Sequence, residues 1–545
     1  MKLRLTINGG SLVGQEFVLE TGFLTVGRSD TCSVRFDPLT ERIASKQHAF
    51  IEAKPDGFYV TDNNSTNGTL LNGERIDAAK LSNGDTIQFG KNGVTGTVLI
   101  EALPGAAVPE STVDRFNAFQ ASQYEQAAQY RPVSVQNSLS QLGLGNADVS
   151  LTPPPPPRRG RKYIFAAIAI FVIIFLSLVA SLLISLSLSE PGPHGEFRIT
   201  LEGVGFAVLG SLVAFTPAVL YILPLAFLDR YDPEPLWLLA LAFAWGALVA
   251  VIVSFIVNTL IGLGLAYEIG GNEGQAIGAI TSMVISAPIF EEGSKGLGLI
   301  LLLVFFRRYF DDILDGIVFA GVIALGFATV ENVQYYGNAM RLGLVTGMGP
   351  VLLVITFVLR GVLSPFAHVT FTSMTGIGCG ISRESHKTWV RILMPILGYG
   401  GAVVLHAFWN GMTLVTQMVA GVIGFLIGYA VLELPFFVIF VSFCGYIMYR
   451  QNRILKEMLA MDVARGLIPE DHARKATSAF RSTGWLISGI FGGKFFARSR
   501  YLRALGKLGL SYWHIQRATA AQGQTASFQQ NPILRQEVVQ WRDKV

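Results

Sequence analysis

The sequence predicts a multidomain protein: an all-β sandwich at the N-terminus, an all-α polytopic membrane bundle of about eight helices, and a helical tail. Three observations carry this. Hydrophobic residues make up 51% of the 545 residues and charged residues 15%, with mean hydropathy +0.46, the balance of a membrane-embedded chain with soluble attachments. Apolar runs of spanning length follow one another from residue 163 to 448. Before them, about a hundred residues alternate in short runs separated by turns. The net charge of +4 points to no nucleic-acid partner. Cys32, Cys379 and Cys444 are far apart in sequence and form no C-x-x-C pair, so neither a disulfide framework nor a thiolate zinc site is expected. Residues 1–7 alternate like a strand, and no cleavable signal peptide is evident.

In residues 1–103 the strand-like runs are 2–7, 16–19, 50–53, 57–61, 86–89 and 96–100. Asn-Gly steps recur at 8–9, 67–68, 72–73 and 83–84, and this punctuation marks tight turns of a sandwich. Within the pattern an ordered set stands out: Gly27-Arg28-Ser29, Ser45-Lys46-Gln47-His48, Ser65-Thr66-Asn67-Gly68-Thr69, Asn72-Gly73 and Gly84-Asp85-Thr86-Ile87. The set resembles a forkhead-associated (FHA) domain over its whole length. Phosphothreonine carries about −1.5 to −2 charges and three acceptor oxygens. Arg28 and Lys46 supply cationic donors, and Ser45 supplies a hydroxyl on the Lys46 loop. The resemblance implies that Arg28, Ser45, Lys46, Thr66 and Asn67 bind a phosphothreonine peptide, Asn67 holding its backbone, while His48 braces the loop. Lys46 stands where many members have Arg, which weakens bidentate recognition.

Residues 104–162 read as a disordered tether: Gln, Ala, Ser and Asn dominate, and Pro153 to Pro157 form a stiff spacer. Arg158, Arg159, Arg161 and Lys162 then precede the first apolar run. Spans are expected near 163–187, 203–228, 236–266, 277–306, 313–335, 347–380, 392–415 and 418–448, with a re-entrant segment near Gly361 to Pro365 as an alternative. Basic residues cluster at every second loop, and only Arg198 and Arg341 fall clearly on the other side. By the positive-inside rule both ends of the chain, and so the β domain and the tail, are cytoplasmic.

The membrane region is organised around Pro288-Ile-Phe-Glu291-Glu292-Gly-Ser-Lys295. Two adjacent carboxylates and an ammonium are costly inside a membrane-length run and mark a site or polar pathway. Residues four apart share a helix face, so Lys295 is expected over Glu291, leaving one carboxylate available for chemistry. Further polar residues share faces on later spans: Phe327 with Glu331, His368 with Thr372 near Arg360, and His406 with Asn410. A second cluster, Asp312 with Asp315, leads into the Glu331 helix. Turned inward, these faces would line one polar cavity.

Residues 203–449 resemble the PrsW group of intramembrane proteases, relatives of the type II CAAX prenyl endopeptidases. The match rests on Glu291-Glu292-x-x-Lys295, Phe327-x-x-x-Glu331-Asn332, His368, His406-x-x-x-Asn410 and Asp232-Pro233-Glu234-Pro235. The resemblance implies that Glu291 or Glu292 is the general base, with His368 and His406 near the water. Glu331 arranges the site, Asn410 donates to the oxyanion, and Lys295 and Phe327 support them. It implies no cofactor, although two His and several Glu are also metal ligand types. It implies a membrane-anchored protein substrate, an anti-sigma factor in PrsW relatives, in a bacterial cell membrane. Interhelical polar glue and a proton-coupled transporter are the rival readings of the buried groups. A non-catalytic membrane anchor for phosphoproteins is the alternative function, the partner of the β domain being a phosphothreonine protein or kinase target. The segment 163–202 supplies a first span and outer loop. The basic tail, 450–545, interleaves aromatic residues: 499–510 is expected either on the inner leaflet or in a packed cap, and 518–530 reads as disordered.

Overall fold

A computed structural model describes residues 1–29, 31–54, 56–101, 159–189, 198–385, 387–520 and 527–545. Residues 104–158 of the expected tether, the polyproline run included, lie outside the described residues, and 159–162 are helical. The contacts divide the chain into two units, Met1–Tyr163 with Ile454–Val545, and Ile164–Arg453.

The first unit begins with eleven strands in two sheets. One sheet has the order β2-β1-β11-β10-β7-β8 and the other β4-β3-β5-β6-β9. The strands are β1 Lys2–Ile7, β2 Glu16–Leu19, β3 Phe23–Gly27, β4 Val34–Arg35, β5 Ala49–Lys54 and β6 Gly57–Asp62. They continue as β7 Thr69–Leu71, β8 Glu74–Ile76, β9 Ala78–Lys80, β10 Thr86–Phe89 and β11 Thr95–Glu101. Alternate residues of the facing strands, among them Leu3, Leu5, Val26, Ile51, Val60 and Ile87, fill the core between the sheets. The sandwich is therefore as expected. The short strands β3, β4, β7, β8 and β9 add to the six runs legible in the sequence. The turns need left-handed backbone, and Asn72 (φ 51) with Gly73 (φ 90) supplies it at the β7–β8 hairpin.

The same unit contains the end of the chain. From Ile454, within helix Leu434–Ala464, it runs on through Glu470–Ala476, Ala479–Phe491, Phe495–Ala520 and Ser527–Arg542. Tyr501, Leu505, Leu508 and Tyr512 are buried along one of them, as in a packed cap. Residues 518–520 and 527–530, expected to be disordered, are helical, and 521–526 lie outside the described residues.

The second unit is a helical bundle. Its helices are α1 Arg159–Leu188, α2 Leu201–Leu228, α3 Leu236–Ile269, α4 Gly271–Thr281, α5 Ala287–Phe305, α6 Ile313–Val345, α7 Val351–Glu384 and α8 Thr388–Gly428. Among the described residues, five helices are long and apolar enough to cross a membrane, and the expected count of about eight is not confirmed. Of α1 only residues 172–188 bear on that number, as a shorter apolar helix, and the charges of Glu291, Glu292 and Lys295 keep α5 out of it. The last two expected spans fall in one helical run, Thr388–Ala464, broken at Ala420 and Gly421 (φ 57). The expected span 347–380 is itself interrupted: a π-helical turn, Val358–Leu363, and a break at Ser364 divide α7.

Helix α6 is the axis of the bundle, its most apolar stretch wholly buried. Small residues allow the close crossings. A Cβ on Gly246 would lie 1.9 Å from the Ile323 carbonyl oxygen, and one on Gly326 2.2 Å from that of Phe243. Gly316 and Gly376 exclude side chains reciprocally where α6 meets α7, at 2.1 and 2.2 Å. At the start of α6, Asp312 accepts hydrogen bonds from the Leu314 and Asp315 amides, and Asp315 accepts from that of Asp312. The Asp312/Asp315 cluster is thus a helix cap and does not join the polar centre.

Candidate functional site

Four elements of the bundle deliver the polar centre. Helix α5 carries Glu291, Glu292 and Lys295, and α6 carries Phe327 and Glu331. The two halves of α7 carry Arg360 and His368, and α8 carries His406. A π-helical turn, Ser282–Ser286, directly precedes α5, and Arg360 lies in another. Such turns redirect side chains and recur at functional sites.

Glu292 is fully buried and fully engaged. Its Oε1 accepts from Lys295 Nζ at 2.8 Å and pairs with His406 Nδ1 at 3.0 Å, and its Oε2 accepts from Thr372 Oγ1 at 2.7 Å. Lys295 was expected over Glu291. The ammonium instead bonds Glu292, three residues back, and sits 3.7 Å from Glu291 Oε2. It also lies 3.9 Å from the centre of the Phe327 ring and 3.3 Å from His368 Nδ1. Glu291 is held loosely. Its Oε1 is 3.5 Å from Asn258 Nδ2, while Oε2 is buried without a hydrogen-bond partner, 3.9 Å from His406 Nε2.

Glu331 anchors the other side. Its Oε2 accepts from Arg360 Nη2 at 2.6 Å and pairs with His368 Nε2 at 2.9 Å. Arg360 also donates from Nε to Asn332 Oδ1 at 2.6 Å and lies 3.7 Å over the Tyr335 ring. The two imidazoles meet edge to face at 5.0 Å, and His406 stacks on Phe371 at 5.3 Å. A cavity of about 530 Å3 opens beside the centre, walled by Glu291, Glu331, Phe327, Asn258, Ser254 and other residues.

The structure thus brings Glu291, Glu292, Glu331, His368, His406, Lys295 and Phe327 together. It leaves Asn410 outside this network: its Nδ2 donates to the Met283 carbonyl at 2.9 Å. Arg360, Thr372 and Asn258 join the centre without having been singled out as site residues. The signal was present for two of them, because an arginine in an apolar run and a threonine four residues after His368 are both visible in sequence. Asn258 carried no such signal.

The residues also fit a divalent ion. One donor atom each from Glu291, His368 and His406 lies within 4.8 Å of the others, and one Glu291 oxygen, Oε2, has no hydrogen-bond partner. Two histidines and a carboxylate form a donor set that suits zinc. Lys295 is the resident cation such an ion would neighbour.

In the β domain the loops after β3 and before β5 are tied together. The Arg28 and Ser29 amides donate to the Ser45 and Lys46 carbonyls at 3.1 and 2.8 Å. Gly27 makes this approach possible, because a Cβ there would lie 2.3 Å from the Lys46 oxygen. Arg28 Nε donates to the Ala44 carbonyl at 2.6 Å, and Asn67 Nδ2 to that of Ile43 at 2.7 Å. Ser45 Oγ accepts from the Thr66 amide at 3.0 Å, and Lys46 is exposed. His48 braces the floor: Nδ1 accepts from the Ser45 amide at 2.9 Å and Nε2 faces the Gly68 carbonyl at 3.2 Å. Burial pushes the His48 pKa below its usual value.

Comparison with known proteins separates the two modules. Residues 234–443 match the PrsW family intramembrane metalloprotease model, and residues 24–90 match the FHA domain model. Protease PrsW of Clostridioides difficile is 32% identical over 197 residues, covering 35% of this chain and 75% of that protein. The chain belongs to the PrsW protease family. It is a membrane-embedded protease of the PrsW type that also carries an FHA domain. Protease PrsW of Geobacillus kaustophilus is 26% identical over 200 residues, 36% of this chain and 77% of that protein. The FHA region is 34% identical over 87 residues to the glycogen accumulation regulator GarA of Mycobacterium tuberculosis, 16% of this chain. The chain spans about half (52%) of that regulator's length. It is also similar to a chain solved for a structural and functional analysis of phosphothreonine-dependent FHA domain interactions. That similarity is 27% identity over 19% of this chain and 100% of that one, TM-score 0.17.

Proposed function

We propose that this PrsW-family chain hydrolyses a peptide bond in a membrane-anchored protein, with Glu291 as the general base. The observation that carries the assignment is the Glu291 Oε2 atom, buried without a hydrogen-bond partner on the wall of the cavity. A base must hold an oxygen open to the proton it removes. Glu292 has no such oxygen, because Lys295, His406 and Thr372 occupy both of its atoms. Its part is to orient His406, whose Nε2 faces Glu291. A water between Glu291 and His406 would lose its proton to Glu291 as its oxygen attacks the carbonyl. Glu291 would then return that proton to the amine nitrogen as the C–N bond breaks, while the Arg360–Glu331–His368 chain fixes the second imidazole beside it. Lys295 supplies positive charge near the developing oxyanion. Asn410, whose amide already serves the Met283 carbonyl, supplies the oxyanion bond only through its second N–H. A divalent ion at this place would be held by Glu291, His368 and His406 and would supply a water of lowered pKa, Glu291 then acting as its ligand in place of the base.

The FHA domain recruits the substrate or a regulator through phosphothreonine, with Arg28, Ser45, Lys46, Thr66 and Asn67 as the contact residues. In this reading residues 1–103 form the reader, 203–449 the peptidase and 450–545 the tail, with both ends of the chain cytoplasmic. The test is to compare membrane-protein fragments in cells expressing the wild-type chain and Glu291→Gln. Fragments that vanish in the variant identify the substrate, and an unchanged fragment set removes Glu291 as the base.

A further inference from the structure

The FHA sandwich has an apolar patch on the wrong side. Along β3, Leu24 and Val26 enter the core between the sheets, so the period of two sends Phe23 and Thr25 to the opposite face. Antiparallel pairing sets Phe23 beside Glu52 and Thr25 beside Phe50 of β5, which makes one outward patch of four residues. An outward face of a sandwich is normally wet. Here Phe23, Thr25 and Phe50 are 3%, 1% and 1% exposed.

The C-terminal helices cover them. Tyr512 meets Phe23 edge to face at 5.7 Å, and Gln516 Nε2 donates to Thr25 Oγ1 at 2.6 Å. The Arg465 guanidinium lies 4.5 Å over the Phe50 ring. Glu52 pairs with Arg465 at 3.2 Å and with Arg535 at 3.4 Å. Every member of the patch thus has a partner from residues 454–545.

One contact of the same segment reaches the phosphate loops. Glu457 Oε1 accepts from Ser29 Oγ at 3.1 Å. Its Oε2 accepts from Gln47 Nε2 at 3.1 Å and from Thr31 Oγ1. Ser29 follows Arg28 and Gln47 follows Lys46 in sequence, so one carboxylate joins the two loops that carry the proposed phosphate donors.

We propose that residues 454–545 are the resident partner of the FHA domain, and that Glu457 is a positioning residue for phosphopeptide recognition. The segment sits on the outer face of the second sheet and holds the Arg28 and Lys46 loops in register. Docking and phosphopeptide binding are therefore linked, and each strengthens the other. The coupling rests on the phosphothreonine reading given above, whereas the docking stands apart from it.

The experiment uses the full chain in detergent and a pool of peptides with one phosphothreonine and randomised flanks. Glu457→Ala and Gln516→Ala are expected to weaken binding about five- to twentyfold, within the usual range of coupling between sites. Glu457→Gln, which keeps the shape and one acceptor oxygen, should recover part of the loss. Saturating peptide should slow amide hydrogen exchange in residues 454–464 and 511–520. Glu52→Lys, which sets like charges against Arg465 and Arg535, should speed exchange there with no peptide present. Equal or tighter binding by Glu457→Ala, while Arg28→Ala still weakens binding, overturns the coupling and leaves the reader intact. A wild-type chain that binds no phosphothreonine peptide removes the reader and the coupling with it. Unchanged exchange in Glu52→Lys overturns the docking.

Discussion

The adjacent carboxylates of α5 should fail in opposite ways when each is neutralised. Glu292→Gln removes charge from a fully buried group that bonds Lys295 at 2.8 Å, His406 at 3.0 Å and Thr372 at 2.7 Å. Lys295 is then left in the interior with Glu291 at 3.7 Å as its nearest carboxylate. Breaking a buried pair by removing one partner costs about 3–5 kcal/mol. In a membrane domain of this size that is a thermal shift on the order of 10 °C. Glu291→Gln removes one long contact to Asn258 at 3.5 Å and the looser ion pair with Lys295 at 3.7 Å, no hydrogen bond of Oε2, and leaves Lys295 bonded to Glu292, so its stability cost is smaller, about 1–2 kcal/mol. Its kinetic cost is that of a lost general base, about 10²–10⁴-fold. The assay pairs thermal unfolding of both variants in detergent with counts of membrane-protein fragments in expressing cells. Glu291→Gln should melt near wild type and cut nothing, and Glu292→Gln should melt early. A Glu291→Gln chain that still cuts, or a Glu292→Gln chain with unchanged melting, refutes the division between the two residues.

Four further outcomes are expected. Arg28→Ala should weaken phosphothreonine-peptide binding about tenfold to a hundredfold, the range of bonds to a charged group, and leave cleavage of an unphosphorylated substrate intact. His48 has a folded pKa lowered by burial, so its contribution to FHA stability is present above its unfolded value near 6.5 and is lost as pH falls through the folded value. Thermal unfolding of the FHA domain should therefore move down as pH drops below about 6.5, and His48→Gln should flatten that dependence. A divalent ion that elemental analysis finds in purified chain and that Glu291→Gln loses would make Glu291 a ligand and not the base, and hydrolysis insensitive to phenanthroline would leave Lys295 as the working cation of the site. A reporter fused at Ser150 should report a cytoplasmic location, and a periplasmic signal would invert the proposed topology.

The sandwich was legible because strands of period two and Asn-Gly turns are local signals, and six of its runs could be placed within one or two residues. The strands that escaped have local reasons. β4 is two residues long, and β7, β8 and β9 are three each, too short to show alternation. β3 reads Phe-Leu-Thr-Val-Gly and shows no alternation because both of its faces are buried, one by the core and one by the tail. The spans were legible as apolar runs, and the boundary expected between 415 and 418 lies beside the observed break at Ala420 and Gly421, but hydropathy gives no sign of the π-helical turns within them.

The polar centre shows how far helical spacing carries an argument and where it stops. Spacing of four placed Lys295 over Glu291, and the structure does hold them 3.7 Å apart. It also makes Glu292 a neighbour of Lys295, since three residues apart is as near as four on a helix. Which carboxylate takes the hydrogen bond is decided by third parties: Thr372 and His406 meet Glu292 from α7 and α8, whereas Glu291 faces the cavity. The proposed choice of base therefore rests on the crossing of three helices and on no single one of them. The same holds for Arg360. Its charge is conspicuous in the sequence, but its task of joining Glu331 to Asn332 depends on a π-helical turn that re-aims it by a fraction of a helical step. Residue types and their order indicated the chemistry. The division of labour among them followed only from the packing of distant helices, and that is why exchanging Glu291 and Glu292, alike in sequence, should separate catalysis from stability.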